Sequence, residues 1–150
     1  MQLQAVAADV ISLSALFVPV AGAVWTSSWT LLVALVGVNA AVAGLKRILG
    51  GSGALGRPTG ARGCGALCDG GPVAGEPGFP SGHMTTVAMF VTVMWLWISE
   101  WWVLAAGGVW ATAVAWSRWV KRCHSVLQIV GGSVFGVGCG FLFVRFLGPK

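Results

Sequence analysis

The chain has two histidines, and a short run suited to binding an anion precedes each. His83 closes Pro80-Ser81-Gly82-His83, and His124 follows Ser117-Arg118 after five residues. Upstream stand Lys46 and Arg57-Pro58. Together these residue types describe phosphate chemistry. A guanidinium offers a planar fork of donors that matches phosphate oxygens, and an ammonium offers a point charge. Ser81 and Gly82 stand where a helix is expected to begin, and the free N–H groups and positive dipole end there favour an anion. One imidazole can attack phosphorus while the other protonates the departing oxygen. Each piece alone has an ordinary reading: a serine cap, a polar interfacial histidine, or basic residues that set topology. Three pieces in order on one side of the chain favour the phosphate reading.

The elements that carry these residues are apolar. Hydrophobic residues make up 57% of the 150 residues and charged residues 9%. Soluble domains carry roughly 25% charged residues, so the excess apolar surface is expected to face lipid. A spanning helix needs about 20 mainly apolar residues. Five stretches meet or approach this: 5–24, 30–49, 82–98, 101–119 and 125–147. The expected fold class is therefore all-α, a polytopic membrane bundle of about five helices, with 1–150 as a single transmembrane domain. Ala21-Gly22-Ala23 imitates a signal-peptidase site, but no basic region precedes it, so the first stretch is read as a retained helix. Asp9 is expected at the interface.

Two connections, 25–29 and 99–102, are short and carry tryptophans, which favour the membrane interface. Helix alternation puts both on one side. On the other side it gathers two basic windows: Lys46, Arg47, Arg57 and Arg62, then Arg118, Lys121 and Arg122. The basic windows fit either an anion site or a positive-inside signal. Residues 50–80 are rich in Gly and Pro and are expected to be a surface loop. Gly132, Gly136 and Gly140 recur every four residues, a face on which another helix can approach closely. Cys64 and Cys68 share the loop and can pair in an oxidising space, whereas Cys123 and Cys139 read as small apolar residues. No Cys/His cluster has zinc-ligand spacing, so no metal is expected.

At these motifs the chain resembles the type 2 phosphatidic acid phosphatase superfamily of membrane lipid phosphatases. The resemblance rests on Pro80-Ser81-Gly82-His83, on Ser117-Arg118 with His124, and on Lys46 before Arg57-Pro58. It implies a helical bundle, a phosphohistidine intermediate and no metal or other cofactor. It implies His124 as nucleophile and His83 as general acid. Lys46, Arg57, Ser81, Gly82 and Arg118 would hold the phosphoryl oxygens.

The chain departs from the family in three ways. Ten residues separate Lys46 from Arg57, more than usual, and Arg47 is an alternative to Lys46. Gln128 stands where the family has an Asp that orients the nucleophile. Dolichyl-diphosphate phosphatases are similar in having Gln there, which points to a polyprenyl diphosphate, with phosphatidic acid as the alternative substrate. Five spans are expected where the family commonly has six, which leaves packing by a second copy, a homo-oligomer, open. A catalytically impaired headgroup binder and a small transporter subunit are the competing classes. No nucleic-acid partner is expected. The resemblance suggests an endoplasmic-reticulum-like endomembrane or the cell envelope, with the active face lumenal or external.

Overall fold

The computed structural model describes residues 2–65, 67–68 and 70–148. Ala66 and Asp69, within the long loop, lie outside the described residues. Five α-helices account for most of the chain: α1 (Gln2–Trp25), α2 (Trp29–Leu49), α3 (Gly82–Ile98), α4 (Trp101–Val120) and α5 (Val126–Leu147). No strand occurs among the described residues. The helices Leu3–Trp25, Trp29–Leu49 and Val126–Leu147 are long and apolar enough to cross a membrane, and Gly82–Ile98 is a shorter apolar helix. The fourth helix is 20 residues long but carries five tryptophans, which lower its hydropathy. These helices make the chain a membrane protein.

The apolar stretches become helices at nearly the expected bounds, because tight turns separate them. Ser28 caps α2 by accepting from the Leu31 N–H. Ser99 adopts a left-handed conformation to close α3. Alternation then brings five helix ends together: the start of α1, the end of α2, the start of α3, the end of α4 and the start of α5.

The tightest contact is between α3 and α5, and the glycine face predicted from the sequence forms it. A side chain at Gly132 would meet Ser81, one at Gly136 would meet Thr85 and Ala88, and one at Gly140 would meet Met89 and Thr92. Their absence lets the two backbones approach. Polar pairs tie α1 to α4: Ser12 to Ser117 at 2.9 Å, and the Trp110 indole N–H to Ser14 Oγ at 2.8 Å. Asp9 pairs with Lys121 near the same end of the bundle, in keeping with an interfacial position.

Residues 50–80 do not lie loose on the surface. They fold over the helix ends through a 3-10 turn, Gly53–Leu55, and two isolated bridges, Gly56 with Pro77 and Arg62 with Pro72. Ala61 and Cys64 are buried beneath this cap. The cysteine expectation is corrected here. Cys64 pairs with Cys123, not Cys68, and Cys68 is free. Cys123 is therefore not simply a small apolar residue. The loop folds down onto the α4–α5 turn, which brings the two Cα atoms to 5.4 Å although 59 positions separate them in sequence.

Candidate active site

A cavity of about 250 Å³ opens at the end where the helix ends converge. Its wall includes Lys46 from α2, Arg57 from the loop, Gly82 and His83 from the start of α3, and His124 from the α4–α5 turn. Arg47 is exposed and Lys46 lines the cavity, so Lys46 is the cation placed to meet a ligand.

His124 is held from behind. Its Nδ1 lies 3.1 Å from Gln128 Oε1. An amide oxygen only accepts, so this bond fixes the proton on Nδ1 and leaves the Nε2 lone pair free. His124 is buried. Burial, followed by the charges of Arg57, Lys46 and Arg118, holds its pKa well below the ordinary imidazole value, while the Gln128 bond acts in the opposite sense. The ring is therefore a neutral imidazole at physiological pH. Burial lowers the Arg57 guanidinium and Glu76 partly offsets this.

Gln128 does more than orient the histidine. It is the third residue of α5 and completes a capping box: Gln128 N–H donates to Ser125 Oγ, and Ser125 N–H donates to Gln128 Oε1. Its amide Nε2 donates to the carbonyls of Ala54 at 3.1 Å and Gly56 at 2.7 Å. Both acceptors belong to the stretch between Lys46 and Arg57. The longer spacing and the glutamine are thus one physical arrangement: the loop offers carbonyl oxygens, and a carboxamide can donate to them where a carboxylate cannot.

Arg57 Nη1 donates to the Cys123 carbonyl at 3.1 Å, beside the nucleophile candidate. Arg118 is fully buried and donates to Ser12 Oγ and to the Cys64 carbonyl, both at 3.2 Å. Ser81, Arg118 and Gln128 stand behind the cavity wall, while the other five expected site residues line it. Ser81 occupies the cap position of α3, yet its hydroxyl makes no cap bond. Among the described residues, Ser81 Oγ, Arg57 Nε and Arg118 Nε are buried polar atoms without a partner at this end of the chain. A buried unpaired donor costs about 1–3 kcal/mol, and of these three residues Arg57 lines the cavity.

Ser12, which supports Arg118, and the Ala54 and Gly56 carbonyls, which hold Gln128, carry no motif by which sequence reasoning could find them. Backbone acceptors carry no side-chain signal. The family model of the PAP2 superfamily matches residues 27–150. The chain belongs to the PAP2 superfamily. Its members are phosphatases, which supports a hydrolase role for this chain in general terms. The matched residues include every side chain that reaches the site from α2, the loop, α3, α4 and α5. Searches of characterised proteins and of solved structures return no match.

Proposed function

We propose that the chain is a metal-independent lipid phosphatase that works through a phosphohistidine on His124. The observation that carries this is the His124 imidazole, oriented by Gln128 and lining one cavity with His83, Lys46 and Arg57. His124 Nε2 attacks the terminal phosphorus, and the bond from phosphorus to the lipid oxygen breaks. His83 gives its proton to that oxygen. Water then attacks the phosphohistidine, loses a proton to His83, and releases inorganic phosphate. Lys46, Arg57 and Arg118, with Ser81 and the Gly82 N–H, offset charge developing on the equatorial oxygens. The lining side chains are cationic or neutral, with no carboxylate among those described, a donor set that attracts an anion rather than a divalent cation.

The substrate class we propose is a polyprenyl diphosphate of the dolichyl type, on the resemblance that Gln128 carries, with glycerolipid phosphates as the second class. The Cys64–Cys123 disulfide favours an oxidising space, so the active face is proposed to be lumenal or external. Purified protein in detergent should release phosphate from these lipids with EDTA present. His124→Ala should lower release by at least about a thousandfold. Full activity in that variant removes His124 as nucleophile.

A further inference from the structure

The Cys64–Cys123 disulfide borders the candidate site, and the phosphoryl chemistry gives it no part. Cys64 lines the cavity, and Cys123 is the residue before His124. Both half-cystines are buried. Their bond joins the loop that carries Arg57 to the turn that follows Arg118 and carries His124.

Each half-cystine also offers its backbone carbonyl to a site arginine, and the two hydrogen bonds cross between the joined segments. From the loop, Arg57 Nη1 donates to the Cys123 carbonyl at 3.1 Å. From the end of α4, Arg118 Nη2 donates to the Cys64 carbonyl at 3.2 Å. The two arginines are not held equally. Arg118 Nη1 also donates to Ser12 Oγ at 3.2 Å and to Cys68 Sγ at 3.9 Å. Among the described residues, the Arg57 side chain makes one hydrogen bond, to Cys123, and its Nε has no partner. Like charge on Lys46 and Arg118 acts on Arg57 as well. A cation with one acceptor and cations near it swings out to water unless that acceptor is fixed.

We infer that the Cys64–Cys123 bond positions Arg57, and to a smaller degree Arg118, for the phosphate, so that the site is complete only in the oxidised chain. This rests on the phosphatase reading above. The bond holds the loop against the turn, so the Arg57 guanidinium keeps the Cys123 carbonyl and stays at the cavity wall. Opening the bond frees the loop from the turn, and Arg57 exchanges that carbonyl for water. Arg118 keeps Ser12 and loses less. Closing the bond removes two electrons and two protons from the paired thiols. A small-molecule disulfide takes them up by exchange and leaves as two thiols. Completion of the phosphate site is thereby coupled to an oxidising space.

The test is a double-mutant cycle on the full chain in detergent, with kcat/KM measured on phosphatidic acid and on a polyprenyl diphosphate. Arg57→Ala should cost on the order of a hundredfold in the wild-type chain, and less than about tenfold in Cys64→Ala/Cys123→Ala, where Arg57 is already misplaced. A bond that only holds the fold together lowers the amount of active protein and leaves the Arg57→Ala cost unchanged, and that result overturns the inference. So does a disulfide-free chain with no thermal transition above the assay temperature, because the bond is then a structural staple. Orthovanadate, a tetrahedral phosphate mimic, gives a second readout that needs no turnover. Its dissociation constant should rise about tenfold when the disulfide is removed, and Arg57→Ala should then raise it little further. Equal affinity with and without the disulfide overturns the positioning role and leaves the phosphatase reading standing. A wild-type chain that binds orthovanadate but hydrolyses neither lipid overturns the phosphatase reading, and the orthovanadate constants alone then decide the positioning role. A wild-type chain that does neither overturns both.

Discussion

At the scale of single residues, Gln128 is the most informative position. If it served only to orient His124, an acceptor oxygen would suffice, and a carboxylate would do better by favouring the imidazolium. The structure adds the two donations to Ala54 and Gly56, which a carboxylate loses. Gln128→Glu keeps the shape and the acceptor and removes the donor. We expect kcat to fall about tenfold or more at pH 7.5, with partial recovery at acid pH as the new carboxyl gains a proton and can donate again. Activity at or above wild type would show that the loop contact is dispensable. The depressed His124 pKa adds a prediction for the wild-type chain. Lowering pH protonates the nucleophile only below the ordinary imidazole range. The nucleophile's acid limb in kcat/KM should therefore have its midpoint under about 6.5.

At the scale of elements, the helices were legible in the sequence and the cap was not. Apolar runs broken by Trp25–Trp29 and Ser99–Trp102 leave little freedom in where helices start and stop, and the periodic Gly132, Gly136 and Gly140 give the α5 contact face. Residues 50–80 carry no periodicity. Their order comes from backbone bonds such as Arg57 N–H to the Glu76 carbonyl at 2.8 Å, and from a disulfide to a distant turn. Neither leaves a local pattern, so in the sequence proximity alone offers Cys68 as a possible partner for Cys64, and the distant Cys123 goes unsignalled. The glycine face can be tested by stability. Gly136→Leu sets a side chain against the Thr85 backbone and Ala88, which should cost about 1–3 kcal/mol and lower the thermal midpoint in detergent. Gly138→Leu, where nothing lies within 4 Å, should leave the midpoint near wild type. Equal losses at both positions would show that α3 and α5 are not in close contact.

At the scale of the whole molecule, the site lies where five helix ends meet beneath the loop, at one face of a membrane bundle. The cavity extends from Lys46, Arg57 and the two histidines toward Asn39 at the middle of α2. The histidines, Arg118 and the Pro-Ser-Gly-His run were legible because side-chain chemistry marks them. With the active face external or lumenal, protease added outside sealed cells or microsomes cleaves residues 50–80 only in cells or only after permeabilisation, respectively. Cleavage from the cytoplasmic side would reverse the orientation.

The central claim is the covalent intermediate on His124. Protein mixed with a lipid substrate labelled with ³²P in the terminal phosphate, then quenched in alkali within one turnover, measures it directly. The account predicts a protein-bound label that is stable to alkali, lost in acid, formed with EDTA present, and absent from His124→Ala. Phosphate release from the wild-type chain with no such label, or an equal label on His124→Ala, would contradict it.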